Sequence, residues 1–333
     1  MKNGLKRFGR WLIKQKVAIL AALIFLVIGV GVGAYATPYF FQTSPTQAQR
    51  ELDSQYHFVS PLLECGTDQN IDANQAQSLQ TQIQSTIKAH EDEGDITTAS
   101  VYFRDLNGGP YVDVNADTLF SPGSLLKVPL AISIYKEAES DPTTLQQMLD
   151  YTGQETADPQ YFAPPTTLAA GKYTVAQLVT QMLVNSDNNA ANTLANFVGV
   201  SDFEATYKHL GVPTPPTQGA DYTTTTRNYG SFLTVLYNAT YLSADDSELL
   251  LKTLSQATFI QGLVAGVPKG IVVSHKFGER SFSNSSLDQL HDCGIVYAPM
   301  HPYLLCIMTQ GYNYDNLAKT IADLSNVTYN YVE

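Results

Sequence analysis

Residues 120–135 read Phe-Ser-Pro-Gly-Ser-Leu-Leu-Lys-Val-Pro-Leu-Ala-Ile-Ser-Ile-Tyr, and the rest of the chain can be ordered around them. Ser121 has the side chain of an N-cap, and Pro122 suits the first helical position, where a missing N–H leaves no bond unmade. The apolar run from Leu125 to Tyr135 then predicts a buried helix. Upstream, residues 100–103 and 111–114 read as two strands joined by the turn Asn107-Gly108-Gly109-Pro110. Before them, residues 73–90 predict a helix, with Ile83 and Ile87 four apart on one face. Downstream, residues 142–265 are mostly helical, with clear periodicity at 175–183, 190–197 and 229–241. Strand patterns return at 271–277, 294–297 and 303–309. His301-Pro302 turns the chain between the last two, and residues 315–325 predict a closing helix. Strands at both ends of the domain with helices between them predict an α+β body. One antiparallel sheet joins the two ends, and a helical subdomain is inserted at about residues 137–265.

Of the 333 residues, 44% are hydrophobic and 15% charged, enough for a sizeable core and against wholesale disorder. The net charge of −12 is unevenly spread. Lys2, Lys6, Arg7, Arg10, Lys14 and Lys16 crowd the first sixteen positions, and the first acidic residue is Glu51. From Glu51 onward 12 basic side chains face 31 acidic ones, a balance of −19. A body that acidic repels nucleic acid and anionic lipid, which excludes both as partners for it.

Residues 17–36 carry no charge and are almost all apolar. Twenty residues at ~1.5 Å rise cover the ~30 Å of a bilayer core, so a single transmembrane helix is expected there. The basic segment 1–16 places the N-terminus in the cytoplasm and the remainder outside, giving a single-pass protein of the cell membrane. The alternative is a cleaved signal peptide ending at Ala34-Tyr35-Ala36, which also exports the body. Residues 37–72, polar with prolines, read as a stalk. Within it, residues 57–63 (His-Phe-Val-Ser-Pro-Leu-Leu) are apolar enough to dock on the body at 73–333. Of the three cysteines, Cys293 and Cys306 fall on neighbouring predicted strands; they form either a disulfide or isolated buried thiols, and Cys65 is left over. The six histidines show no metal-ligand spacing and no C-x-x-C occurs, so no metal or cofactor is expected.

Covalent attack on an amide needs a nucleophilic hydroxyl, a base to take its proton, and donors aimed at the oxyanion. Ser124-Leu125-Leu126-Lys127 supplies the first two, because residues i and i+3 share a helix face. A neutral lysine is the base, and burial or a second cation lowers its pKa towards that state. Alone, S-x-x-K is close to noise: Ser85-Thr86-Ile87-Lys88 and Ser133-Ile134-Tyr135-Lys136 match it too. Context separates them, since Ser133 is mid-helix, Ser85 is on a surface helix, and Ser124 alone starts a buried helix after a hairpin. Ser186-Asp187-Asn188 lies between two helices and reads first as an N-cap. Lys276-Phe277-Gly278 ends a predicted strand, where a lysine is usually a solvated charge.

The order S-x-x-K, S-D-N, K-x-G is the motif set of class A β-lactamases and penicillin-binding proteins. From about Asn74 to the C-terminus the chain resembles that family. Residues 171–178 (Gly-Lys-Tyr-Thr-Val-Ala-Gln-Leu), the run Asn189-Ala190-Ala191-Asn192 after S-D-N, and Asp221-Tyr222-Thr223-Thr224 agree in place and order. The resemblance implies a β-lactamase/transpeptidase-like α/β/α sandwich. Its five-stranded antiparallel sheet is flanked by helices, with the cleft between sheet and helical subdomain. It makes Ser124 the acylated nucleophile, Lys127 its activating base, and Ser186 the relay to the leaving nitrogen. Asn188 holds the substrate amide or Lys127, and Lys276 draws the substrate carboxylate. The backbone N–H groups of Ser124 and Glu279 form the oxyanion hole beside Gly278.

Two departures stand out. The loop over residues 210–221 is short and contains no glutamate, whereas the family's β-lactamases use one there to position the water that frees the acyl-enzyme. Phe277 replaces the usual Thr or Ser, removing a hydroxyl from the carboxylate site. Such a bond is worth ~1.5–3 kcal/mol, and Arg280 is near enough in sequence to replace it. The expected activity is therefore acyl-enzyme formation with D-Ala-D-Ala-type peptidoglycan stem peptides or β-lactams. The alternatives are a working β-lactamase and a catalytically impaired wall-binding module.

Overall fold

The computed structural model describes residues 56–60, 72–153, 160–162, 167–216, 222–299 and 301–333. The expected basic segment 1–16, the transmembrane span 17–36, most of the stalk, Cys65 and Asp221 lie outside these residues. Among the described residues no helix is long and apolar enough to cross a membrane.

The centre is a five-stranded antiparallel sheet in the order β2-β1-β7-β6-β5. Its strands are β1 (Thr98–Asp105), β2 (Tyr111–Val114), β5 (Val273–Ser281), β6 (Asp288–Val296) and β7 (Tyr303–Gly311). The hairpin at 107–110 joins β1 to β2 as the sequence predicts. β6 and β7 are buried almost along their whole length, as in a sheet covered on both faces. One face packs α1 (Ala73–Glu93) and the C-terminal helix α8 (Tyr314–Val332) in a single apolar cluster that includes Leu79, Ile83, Phe103, Ile307 and Ile321. The other face supports the helical lobe: α2 (Lys127–Ser140), α3 (Val175–Val184), α4 (Asn188–Val198), α5 (Val200–His209), α6 (Thr226–Tyr237) and α7 (Ala244–Leu254).

The helix starts follow local chemistry. Asp72 and Thr174 close capping boxes with Gln75 and Gln177, and Gly94 ends α1 in the left-handed region. Two strands extend beyond the hydropathy signal. β6 begins six positions before the predicted 294 because Gln289, His291 and Asp292 are polar yet buried, and β5 runs on through Gly278, Glu279 and Arg280. The helical reading of 142–265 also missed a small sheet, β3 (Met148–Tyr151) with β4 (Gly171–Thr174).

The cysteine alternatives resolve to a disulfide: Cys293 and Cys306 are register partners on β6 and β7 and are bonded. The segment 56–60 lies on the body. The Glu248 carboxylate accepts from the N–H groups of His57, Phe58 and Val59 at 2.7, 2.7 and 2.9 Å, and the Ser60 N–H donates to the Tyr237 carbonyl at 2.6 Å.

Candidate active site

The nucleophile candidate is positioned differently from the sequence reading. Ser121 does not cap a helix. A 3-10 turn, Gly123–Leu126, follows Pro122 with no side-chain cap, and α2 begins at Lys127. Gly123 has φ +53°, and a Cβ there would press into the Glu279 carbonyl, so the chain can reverse onto β5 only with glycine. Gly278 permits the same approach from the sheet, since a Cβ on it would collide with the Pro122 carbonyl. The Ser121 backbone is bound to β6 instead. Its N–H donates to Gln289 Oε1 at 2.9 Å, and its carbonyl accepts from His291 Nε2 at 3.0 Å. Burial lowers the His291 pKa to about 4, so the ring stays neutral and serves as a fixed donor. Ser124 is thus held on a turn laid along β5, the edge strand, and lines the cleft.

Lys127 and Lys276 are both buried, and both reach Ser186. Lys127 Nζ donates to the Ser186 carbonyl and to Asn188 Oδ1, each at 2.6 Å, with Ser186 Oγ at 3.2 Å. Lys276 Nζ donates to Ser186 Oγ and to the Phe277 carbonyl, each at 2.9 Å. Burial pulls Lys127 down to about 7, against the attraction of Asp187 and Glu279. Lys276 is pushed well below the ordinary lysine range, by burial first and by Lys127 second. Lys276 is therefore not a solvated charge at a strand end: it is the fourth residue of β5, with its ammonium enclosed. Ser186 sits at φ +55°, a left-handed backbone for a non-glycine residue, of the kind stored at functional sites.

Within the S-D-N triplet the helix cap and the contact to Lys127 fall to different residues. Asp187 is the N-cap of α4, accepting from the Ala190 N–H at 2.9 Å, and it also accepts from the Tyr151 hydroxyl at 2.8 Å. Asn188, the first helical residue, faces Lys127. The other S-x-x-K matches are structural. The Ser85 hydroxyl bonds back to the Thr81 carbonyl on the exposed face of α1, and Ser133 is buried in α2 against Pro129 and Thr206.

The cleft encloses about 760 Å³. Ser124, Lys127, Asn188, Glu279 and Arg280 line it, while Ser186 and Lys276 stand behind the wall. Phe277 points away from it. Its ring stacks on Phe259 with centroids 4.3 Å apart and lies 4.1 Å from Lys276 Nζ, so the residue that replaces a hydroxyl backs the lysine instead. Arg280 does line the cleft, on the same strand.

Sequence reasoning missed the Glu279 side chain and Gln160. The Glu279 carboxylate accepts from the N–H groups of Tyr161 and Phe162 at 2.8 and 3.1 Å, while burial raises its pKa. Gln160 Nε2 donates to the Ser186 carbonyl at 3.1 Å, so segment 160–162 bridges the two walls. No local pattern marks these residues, because each contact joins points far apart in the chain. Among the described residues one three-ligand cluster occurs, His90, Glu93 and Asp95, outside the cleft lining; Lys319 already pairs with Asp95 at 3.1 Å.

A buried amine with its pKa lowered to about 7, lining the same cleft as a serine three residues before it, suits acyl transfer. The chain belongs to the beta-lactamase enzyme family, which matches residues 78–332. Within it the chain is a class A β-lactamase-like serine hydrolase. It is 22% identical over 243 residues to the β-lactamase VEB-1 of Pseudomonas aeruginosa, spanning 66% of this chain and 80% of that protein. Among solved structures, the fold matches a mutant of PBP-A in its acyl-enzyme complex with penicillin G. The TM-score is 0.63 at 22% identity, over 76% of this chain and 96% of that one. It also matches the extended-spectrum β-lactamase TLA-3, with TM-score 0.67 at 19% identity, over 77% and 98% of the two chains.

Proposed function

We propose that the protein is a membrane-anchored, extracytoplasmic acyltransferase or peptidase that forms an acyl-enzyme at Ser124 with D-Ala-D-Ala-type stem peptides and with β-lactams. The observation that carries this reading is Lys127: an amine brought to about 7 by burial, on the first turn after the nucleophile. In its neutral form Lys127 takes the Ser124 proton as Oγ bonds to the carbonyl carbon. The tetrahedral oxyanion is held by the Ser124 and Glu279 N–H groups. The C–N bond then breaks, and the nitrogen receives a proton through Ser186 Oγ, which lies 3.2 Å from Lys127 Nζ and 2.9 Å from Lys276 Nζ. Arg280, which lines the cleft, supplies positive potential for the substrate carboxylate, and Lys276 adds to it when protonated.

The described part of the short loop, residues 210–216, carries no carboxylate. That favours slow release of the acyl group and hence the penicillin-binding reading. A working β-lactamase is the second reading, favoured by the likeness to VEB-1 and TLA-3. Fluorescent penicillin with intact-mass detection separates them. A long-lived adduct, absent in Ser124→Ala, is expected. Fast nitrocefin turnover without a trapped adduct selects the β-lactamase, and neither adduct nor turnover with any β-lactam or D-Ala-D-Ala peptide leaves a wall-binding module. Anchoring through residues 17–36 rests on the apolar run and the basic segment before it; recovery of the full chain in a salt-washed membrane fraction tests it.

A further inference from the structure

The cleft does not end at the nucleophile. It continues along one face of α4, past Asn188, Ala191 and Ala195 to Gly199, and is closed by Phe203 and Glu204 at the start of α5. Residues 188, 191, 195 and 199 recur at helical spacing, and small side chains leave the groove open. Eleven residues of helix give the groove a length of ~16 Å, which matches an extended peptide of about four to five residues. The charges along it differ in sign: Arg280 lines the β5 end and Glu204 the α5 end. Two carboxylates line the cleft, and Glu279 is already bonded to Tyr161 and Phe162. Glu204 is half-buried and, among the described residues, pairs with no cation. Phe203, Pro215, Pro216 and Tyr222, which line the same cleft, are apolar or aromatic, and such a lining strengthens a charge-assisted bond made within it.

We propose that this distal arm binds the acyl side of the donor peptide and that Glu204 receives a primary ammonium group carried by it, from a diamino-acid side chain or a free N-terminus. The proposal deepens the acyl-transfer reading and rests on it. The groove faces the acyl half because Arg280, at the opposite end, is suited to the carboxylate of the leaving residue. A donor with an anionic end and a cationic end then lies across Ser124 in one direction only.

The test uses the full chain in detergent and three tripeptides of L-Lys-D-Ala-D-Ala: Nα-acetylated, Nε-acetylated and diacetylated. Each competes with fluorescent penicillin for Ser124. One of the two singly acetylated peptides is expected to outcompete the diacetylated one by about tenfold, the effect of one charge-assisted bond, and which one does so identifies the amine. In Glu204→Gln that ratio is expected to collapse towards one, and in Glu204→Lys to invert, with thermal melting confirming that both variants fold. A ratio unchanged in Glu204→Gln overturns the proposal. So does a longer-lived penicillin adduct in Glu204→Gln with the ratio intact, which assigns the carboxylate to water. Calorimetric titration of the same peptides into Ser124→Ala reads the preference as Kd without turnover. If the wild type forms no acyl-enzyme yet Ser124→Ala still shows the ammonium preference, the acyl-transfer reading fails and the subsite stands.

Discussion

The two walls of the cleft each contribute a buried lysine, and the two differ in how they are held. On the sheet wall, Lys276 stands within a nine-residue strand, with its ammonium enclosed by Ser186 Oγ, the Phe277 carbonyl and the Phe277 ring. On the helical wall, Lys127 opens a helix behind a left-handed glycine, and its partners are a backbone carbonyl and an amide oxygen in the S-D-N turn. Strand register fixes the first lysine as part of the sheet. The second depends on a loop, and it titrates near neutrality. Burial lowers the pKa of both amines, Lys127 to about 7 and Lys276 well below the ordinary lysine range, so neither wall holds a fixed charge. The difference lies in the partners around each amine, since both are removed from water.

The most severe way to break the comparison is Lys127→Ala. Loss of the general base should slow acylation by fluorescent penicillin about 10³-fold or more, with melting shifted by only a few degrees. An unfolded variant would make the residue structural. Lys276→Met should lower the acylation rate about 10²-fold while leaving the midpoint of the pH profile in place. If that midpoint moves as well, the two amines titrate as one unit. In the wild type the profile rises with pH through about 7, because only neutral Lys127 accepts a proton. Asn188→Asp should sharpen this: a carboxylate in place of the amide 2.6 Å from Nζ favours the charged amine. The rising limb then moves alkaline by about one unit, a loss of about fivefold at pH 7 seen in stopped-flow labelling. The smallest effect belongs to Phe277→Leu, which removes the ring beside Lys276. Chemical denaturation should report a loss of about 1–2 kcal/mol, with acylation changed less than threefold.

Legibility followed sequence distance. The nucleophile's turn, the S-D-N triplet and the K-x-G strand are contiguous, so each was visible as a pattern, and their order separated Ser124 from Ser85 and Ser133. Phe277 was visible as a departure, but its direction was not: hydropathy cannot say that the ring packs on Phe259 rather than facing the cleft. Ser121 was read as a cap because local chemistry allows it, whereas Gln289 and His291, about 170 positions away, claim its backbone. Glu279 as a clamp on Tyr161 and Phe162, and Glu204 at the far end of the groove, had no sequence signal at all.

By itself the sequence determined most of the strands and helices, which serine stands just ahead of a buried helix, and that the chemistry is of the serine-hydrolase kind. Periodicity, turn residues and short motifs are local, and local forces read them. Only the tertiary structure decided the lowered pKa of the two lysines, the left-handed Ser186 between them and the extension of the cleft to Glu204. Each of these depends on how much water is excluded and which remote partner arrives, and that is fixed when the sheet and the helical lobe pack together.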